Sequence, residues 1–178
     1  MDNERKLGTI VGLKLSIVPS FFVGTILLWV ILSVVSVVVL DLPILQAALW
    51  GLVAALLYWV IDIVHHLGHA YAARRTGYPM VGIRLGTRFI FGTSVYPNNE
   101  EPLPAKIHIR RALGGPIGSL LFTVVFGIIA VLLYPVGGVI WWLVLYISLT
   151  SFLMFTMGPF IPLGFTDGST ILEWRGKN

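Results

Sequence analysis

Residues 19 to 40 carry no charged side chain, and serine and threonine are their only polar groups. About 20 predominantly apolar residues suffice to cross a bilayer. Three further runs follow: Ile44 to about Arg75, about Ile107 to Tyr134, and about Val139 to Met157. In hydrocarbon every backbone N–H and C=O must be satisfied within the protein, so runs of this length fold as helices. The balance of the chain agrees. Of its 178 residues 57% are hydrophobic and 11% are charged, with mean hydropathy +0.90, whereas soluble domains carry roughly 25% charged residues. The expected architecture is an all-α polytopic membrane protein with about four transmembrane helices, built as one membrane-embedded domain over 1–178. The first run is too long for a signal-peptide core and lacks a small-residue cleavage site, so it reads as a retained span.

Breaks between the runs set the connections. Pro19-Ser20 suits a helix start, with a hydroxyl available for capping. Asp41-Leu42-Pro43 makes a tight turn, and Gly77 and Pro79 stop the second helix. Residues 1 to 18 are polar, then mildly amphipathic. Val81 to Tyr96 differs from the rest, with glycines at 82, 86 and 92 among Ile, Phe, Val and Arg. It predicts short strands or a β-hairpin lying along the membrane surface between the second and third spans. Gly114-Gly115-Pro116 interrupts the third span. Gly158-Pro159 and Pro162 end the fourth and leave an irregular segment, Phe160 to Thr166, before a short helix from about Ser169 to Trp174.

Of the twelve Lys and Arg residues, three precede the first span, seven lie between positions 74 and 111, and two follow position 170. The other two loops hold none. By the positive-inside rule both termini and the 74-to-111 loop face the cytoplasm. The pI near 9.6 therefore reads as orientation signal and lipid contact, not as a nucleic-acid footprint. Cysteine is absent, which excludes disulfides and thiolate metal ligands.

Ionisable side chains are costly within a span and mark function by default. The second span nonetheless ends in Asp62 and Val64-His65-His66-Leu67-Gly68-His69-Ala70. At about 100° per residue, positions 62, 65, 66 and 69 fall within roughly a 100° arc of one helix face. His65 and His69, one turn apart, are spaced to share a metal ion. A hydrolytic zinc site needs a third protein ligand and an open position. Asp167 is the best candidate, because irregular backbone at membrane depth is tolerated only where it is buried or lines a cavity. The bland readings are interfacial histidines at a helix end, and an aspartate capping residues 168 to 172. Asp62 could pair with His66, four residues on, or orient His65 or His69 as a carboxylate behind the ligands. His108, within Lys106 to Arg111, reads as a solvated interfacial residue, and Trp141, Trp142 and Trp174 suit interface belts. Gly114, Gly115 and Gly118 read first as close-packing positions between helices.

The pattern resembles the site-2 protease family of intramembrane zinc metalloproteases. His65-His66-Leu67-Gly68-His69-Ala70 sits where that family has H-E-L-G-H-A, and Ala112-Leu113-Gly114-Gly115-Pro116 resembles its A-L-A-G-P segment. The 80-to-96 region resembles its membrane-associated strands, and Pro162 to Gly168 resembles the approach to its L-D-G motif. The resemblance implies His65, His69 and Asp167 as ligands of Zn²⁺, and transmembrane proteins as substrates or partners. It also implies a departure. The family's catalytic glutamate, which takes a proton from water and passes it to the leaving amine, is His66 here. Thr166 stands for a leucine, and Ser119 for an asparagine common after the G-P. These departures point to a non-proteolytic scaffold, binding module or complex subunit that keeps the metal pattern. Two alternatives remain open: an active intramembrane protease using His66 or another base, and a tetrapyrrole-binding subunit with histidine axial ligands.

Overall fold

The structure, a computed structural model, describes residues 4–177; Met1 to Asn3 and Asn178, and with them the two terminal residues whose side of the membrane was expected, lie outside the described residues. Among the described residues four helices are long and apolar enough to span a membrane, and the chain is an integral multi-pass membrane protein. α1 covers Ser20–Leu40, α2 Ile44–Arg75, and α3 Ala105–Leu133. α4, Gly138–Thr150, continues through a widened π-helical turn, Ser151–Met157, and a tight turn, Gly158–Phe160. A short α5, Asp167–Trp174, follows.

The expected hairpin is present as β3, Gly82–Arg88, and β4, Phe91–Val95. It belongs to a larger sheet. β1, Arg5–Ile10, and β2, Leu13–Ile17, fall in the stretch read as merely polar and amphipathic, and the strand order is β1-β2-β3-β4. β1 and β2 are antiparallel, and β2 pairs with β3 in parallel, Lys14 opposite Gly82 through Ile17 opposite Leu85. A parallel pair needs a long crossover, and α1 and α2 supply it. The β1–β2 turn is tight because Val11 and Gly12 both take positive φ, 49° and 82°, the geometry of a two-residue hairpin. Val-Gly is not among the dipeptides that announce such a turn, so the hairpin left little mark on the sequence.

The chain divides into two compact units, 1–60 with 82–93, and 61–81 with 94–178. In the first, Ser20 does not cap α1; its hydroxyl donates to the Gly86 carbonyl, and no side chain caps the helix. Phe21 packs on Trp59 with ring centroids 4.5 Å apart, and the Trp59 indole donates to Thr25 Oγ1 at 2.9 Å. Gly24 lies against the Phe89 backbone so closely that any Cβ would collide with it.

In the second unit α3 and the α4 segment pack through small and hydroxyl side chains, as membrane helices do. Ser148 Oγ donates to the Thr123 carbonyl at 3.1 Å, and Ser151 Oγ to the Ser119 carbonyl at 2.9 Å. Helix α3 runs unbroken through Pro116, so the interruption expected at Gly114-Gly115-Pro116 is a packing feature, not a break. Gly68 and Gly114 bring α2 and α3 together: a Cβ on Gly68 would lie 3.1 Å from the Gly114 carbonyl carbon. His108 is not freely solvated. Its ring stacks on Trp174 at 4.0 Å and 7°.

Candidate metal centre

All site residues belong to the second unit. One turn of α2 carries His65 and His69, both buried, at 6% and 5% exposure. Asp167 opens α5. The residue before it, Thr166, occupies the cap position, so Asp167 is not the helix cap. The segment leading to Asp167 is tied down locally. Thr166 Oγ1 donates to the Ile161 carbonyl at 2.6 Å, and the Gly164 amide donates to Ser169 Oγ at 2.7 Å. Gly168 lets α5 approach the Phe160 backbone; a Cβ there would stand 2.7 Å from the Phe160 carbonyl carbon.

These elements bring three expected residues together. The two Nε2 atoms of His65 and His69 are 3.0 Å apart. Asp167 Oδ2 lies 3.5 Å from His65 Nε2, and Oδ1 lies 3.4 Å from His69 Nε2. One ligand atom from each residue falls within 4.8 Å of the others, a group able to hold a metal ion. Burial works against a charge on Asp167, and the His69 and His65 imidazoles outweigh it, holding its carboxyl below the usual carboxylate range.

The orientation of the rings tests whether a metal fits. His69 Nδ1 lies 2.8 Å from the Arg111 carbonyl oxygen, and the Gly115 amide donates toward it at 3.2 Å, so the ring is held from behind by two backbone groups. Its Nε2 faces His65. His65 Nδ1 meets the Ser119 hydroxyl at 3.0 Å. Behind both rings stand oxygen partners, Ser119 Oγ and the Arg111 carbonyl, as metal-ligating histidines commonly have. Two imidazole nitrogens and a carboxylate converging on one point form a donor set that a cation can occupy. Two nitrogens and one oxygen suit zinc with a fourth position open. Gly115 completes the cradle. A Cβ there would sit 2.5 Å from His65 Cε1 and 2.6 Å from its Nε2, so glycine is the residue that leaves room for the rings.

His66 stands apart from this group. It is equally buried, at 6%, but its Nδ1 meets Ser94 Oγ at 2.9 Å and its Nε2 lies 3.6 Å from Asp62 Oδ1. Asp62, at 2% exposure, thus sits beside His66, one of the placements its spacing allowed.

Several contributors carried no clear signal in the sequence. Ser94 lies in a strand and meets the site only through the fold. Ser119 stood out only as a departure from the family pattern. Arg111 looked like one more interfacial cation, yet its side chain is buried. It donates to both carboxylate oxygens of Glu100 and to the Tyr78 carbonyl, and stands 4.2 Å over the Tyr96 ring. Burial in that cluster pushes the Tyr96 hydroxyl up to about 12. The same residue's carbonyl orients His69, so the ion pair and the metal cradle share one backbone position. The widened turn after α4 brings Phe155 to 5.5 Å from the His65 ring; such π-helical turns recur at functional sites.

The fold has a counterpart among solved structures. The solved structure of the site-2 protease from Methanocaldococcus jannaschii superposes with TM-score 0.63 at 22% identity, over 95% of this chain and 69% of that one. This chain has the site-2 protease fold. Its sequence relationship points the same way. The protein named "Putative zinc metalloprotease Rip3" of Mycobacterium tuberculosis, in strains Erdman and H37Rv, is 29% identical over 167 residues. That match covers 83% of this chain and 40% of the relative, so the site-2-protease-like chain spans about two fifths of the curated relatives it matches. No protein-family model matches it.

Proposed function

We propose that this chain is a site-2-protease-like membrane protein that holds Zn²⁺ through His65, His69 and Asp167 and no longer hydrolyses peptide bonds. It acts instead as one functional domain, a scaffold, binding module or subunit of a membrane complex, with a transmembrane protein as partner. Zinc bound there supplies Lewis acidity. Hydrolysis also needs a base that takes the proton of the attacking water and returns it to the leaving amine. By family resemblance that task belongs to the side chain at position 66. One observation carries the reading: both ring nitrogens of His66 have partners outside the ligand cluster, Ser94 Oγ and Asp62. A cationic imidazole beside zinc is electrostatically disfavoured as well. The distribution of Lys and Arg supports termini on the cytoplasmic side.

One observation favours a second reading, an active intramembrane protease. The Asp62 carboxylate beside His66 could make that imidazole a stronger base. The two separate in an assay of the purified full chain on quenched-fluorescence transmembrane peptides, with His66→Glu and His69→Ala variants alongside. The unaltered chain is expected to match the His69→Ala background, and His66→Glu to cleave above it. Cleavage by the unaltered chain that His69→Ala abolishes would overturn the non-proteolytic reading.

A further inference from the structure

A groove of about 640 Å³ runs along the α2–α3 seam. At its mouth stand Arg75, the last residue of α2, and Arg110, in the second turn of α3. The two helices are antiparallel here, so both guanidinium groups lie at the same end of the seam. Both side chains are exposed. Among the described residues neither Arg75 nor Arg110 has an acidic partner. No Asp or Glu lines the groove.

Below the arginines the walls turn apolar. Tyr71, Ile117 and Leu121 line them at 69%, 55% and 66% exposure, and Gly68, Gly114 and Gly118 form a floor without side chains. From Arg110 to Leu121 the helix rises by roughly 16 Å, about half the hydrocarbon thickness. A paired cationic mouth above a slot lined by Tyr, Ile, Leu and glycine matches a molecule with an anionic head and a hydrocarbon tail. Basic pockets between spans take anionic lipid heads for this reason.

We propose that the α2–α3 groove is a binding site for one anionic phospholipid, its phosphate between Arg75 and Arg110 and an acyl chain along Ile117 and Leu121. The glycine floor is the back of the turn that carries the histidines: Gly115, next to Gly114, touches both rings. A lipid seated there lies directly behind the metal cradle. The site does not depend on metal being bound or on any peptidase activity.

Native mass spectrometry of the full chain in mild detergent tests this, with phosphatidylglycerol and phosphatidylcholine of the same acyl chains. Phosphatidylglycerol is expected to be retained on the order of 25-fold better. The preference should fall by about fivefold per arginine removed, at roughly one kilocalorie each, so that R75Q/R110Q binds both lipids alike while R75K/R110K keeps most of the difference. I117W/L121W keeps both arginines and narrows the slot, so its retention of phosphatidylglycerol should drop. That variant decides the question if the glutamine pair does not fold. Equal retention of the two lipids, or an unchanged preference in R75Q/R110Q or unchanged retention in I117W/L121W, would overturn the proposal. Displacement of the lipid by equimolar inorganic phosphate would do so too, since it would mark an anion site without a tail.

Discussion

One turn of α2 holds two kinds of histidine. His65 and His69 point their Nε2 atoms at each other and at Asp167, with the outer nitrogens steadied by Ser119 and the Arg111 carbonyl. His66, adjacent in sequence and no less buried, is held between Ser94 and Asp62. Composition does not separate them. What separates them is the neighbour each ring meets: α3 and the start of α5 on one side, strand β4 and the preceding turn of α2 on the other. On the proposed reading, a metal cradle and the proton-handling position beside it are supported by different parts of the fold, so one can persist without the other.

The comparison breaks most sharply at Gly115. Alanine is ordinarily the better helix residue, but here its Cβ would press on the His65 ring. Gly115→Ala is expected to reduce bound zinc below detection by elemental analysis, with helical content by circular dichroism unchanged. Zinc retained at the level of the unaltered chain would mean the cradle is looser than its geometry indicates.

A milder change tests the support behind the ring. Ser119→Ala removes the partner of His65 Nδ1. Losing such a partner typically lowers metal affinity by about 10- to 100-fold, measurable by competition with a chelator. The corresponding change on the other side, Ser94→Ala beside His66, should leave affinity within about threefold, below the range expected of a ligand's own support.

A separate readout concerns Arg111, away from the metal cradle. Glu100 is held below the ordinary glutamate value of 4.5 by its hydrogen bonds to Arg111, against a small opposing cost of burial. A depressed carboxyl stabilises the fold above its unfolded pKa, and that contribution is lost as pH falls through the lower folded value. Glu100→Gln should therefore cost roughly 2 kcal/mol near neutrality. The gap in Tm to the unaltered chain should narrow as pH falls below about 4.5, as followed by thermal melts across pH. A gap that stays at its neutral size down to pH 3 would assign the loss to packing.

Much of this was legible in advance. The bounds of α2 could be read from Pro43 before Ile44 and from Gly77 and Pro79 beyond Arg75, because breakers and apolar length act locally. The meeting of His65, His69 and Asp167 was legible only as a spacing and a family pattern. Asp167 lies nearly a hundred positions from the histidines, and nothing local brings them together. The β1–β2 hairpin was missed because its turn, Val11-Gly12, carries no Asn-Gly or Asp-Gly mark. The burial of Arg111 was missed because a cation at a helix start reads as interfacial until Glu100 and Tyr96 are seen to enclose it.

The central claim is that His65, His69 and Asp167 form the metal site and His66 does not. Zinc content of the purified full chain measures it directly, beside His66→Ala, His69→Ala and Asp167→Asn. The expected result is close to one zinc per chain for the unaltered protein and for His66→Ala, and essentially none for the other two. Zinc lost with His66→Ala, or kept with His69→Ala and Asp167→Asn, would contradict the account.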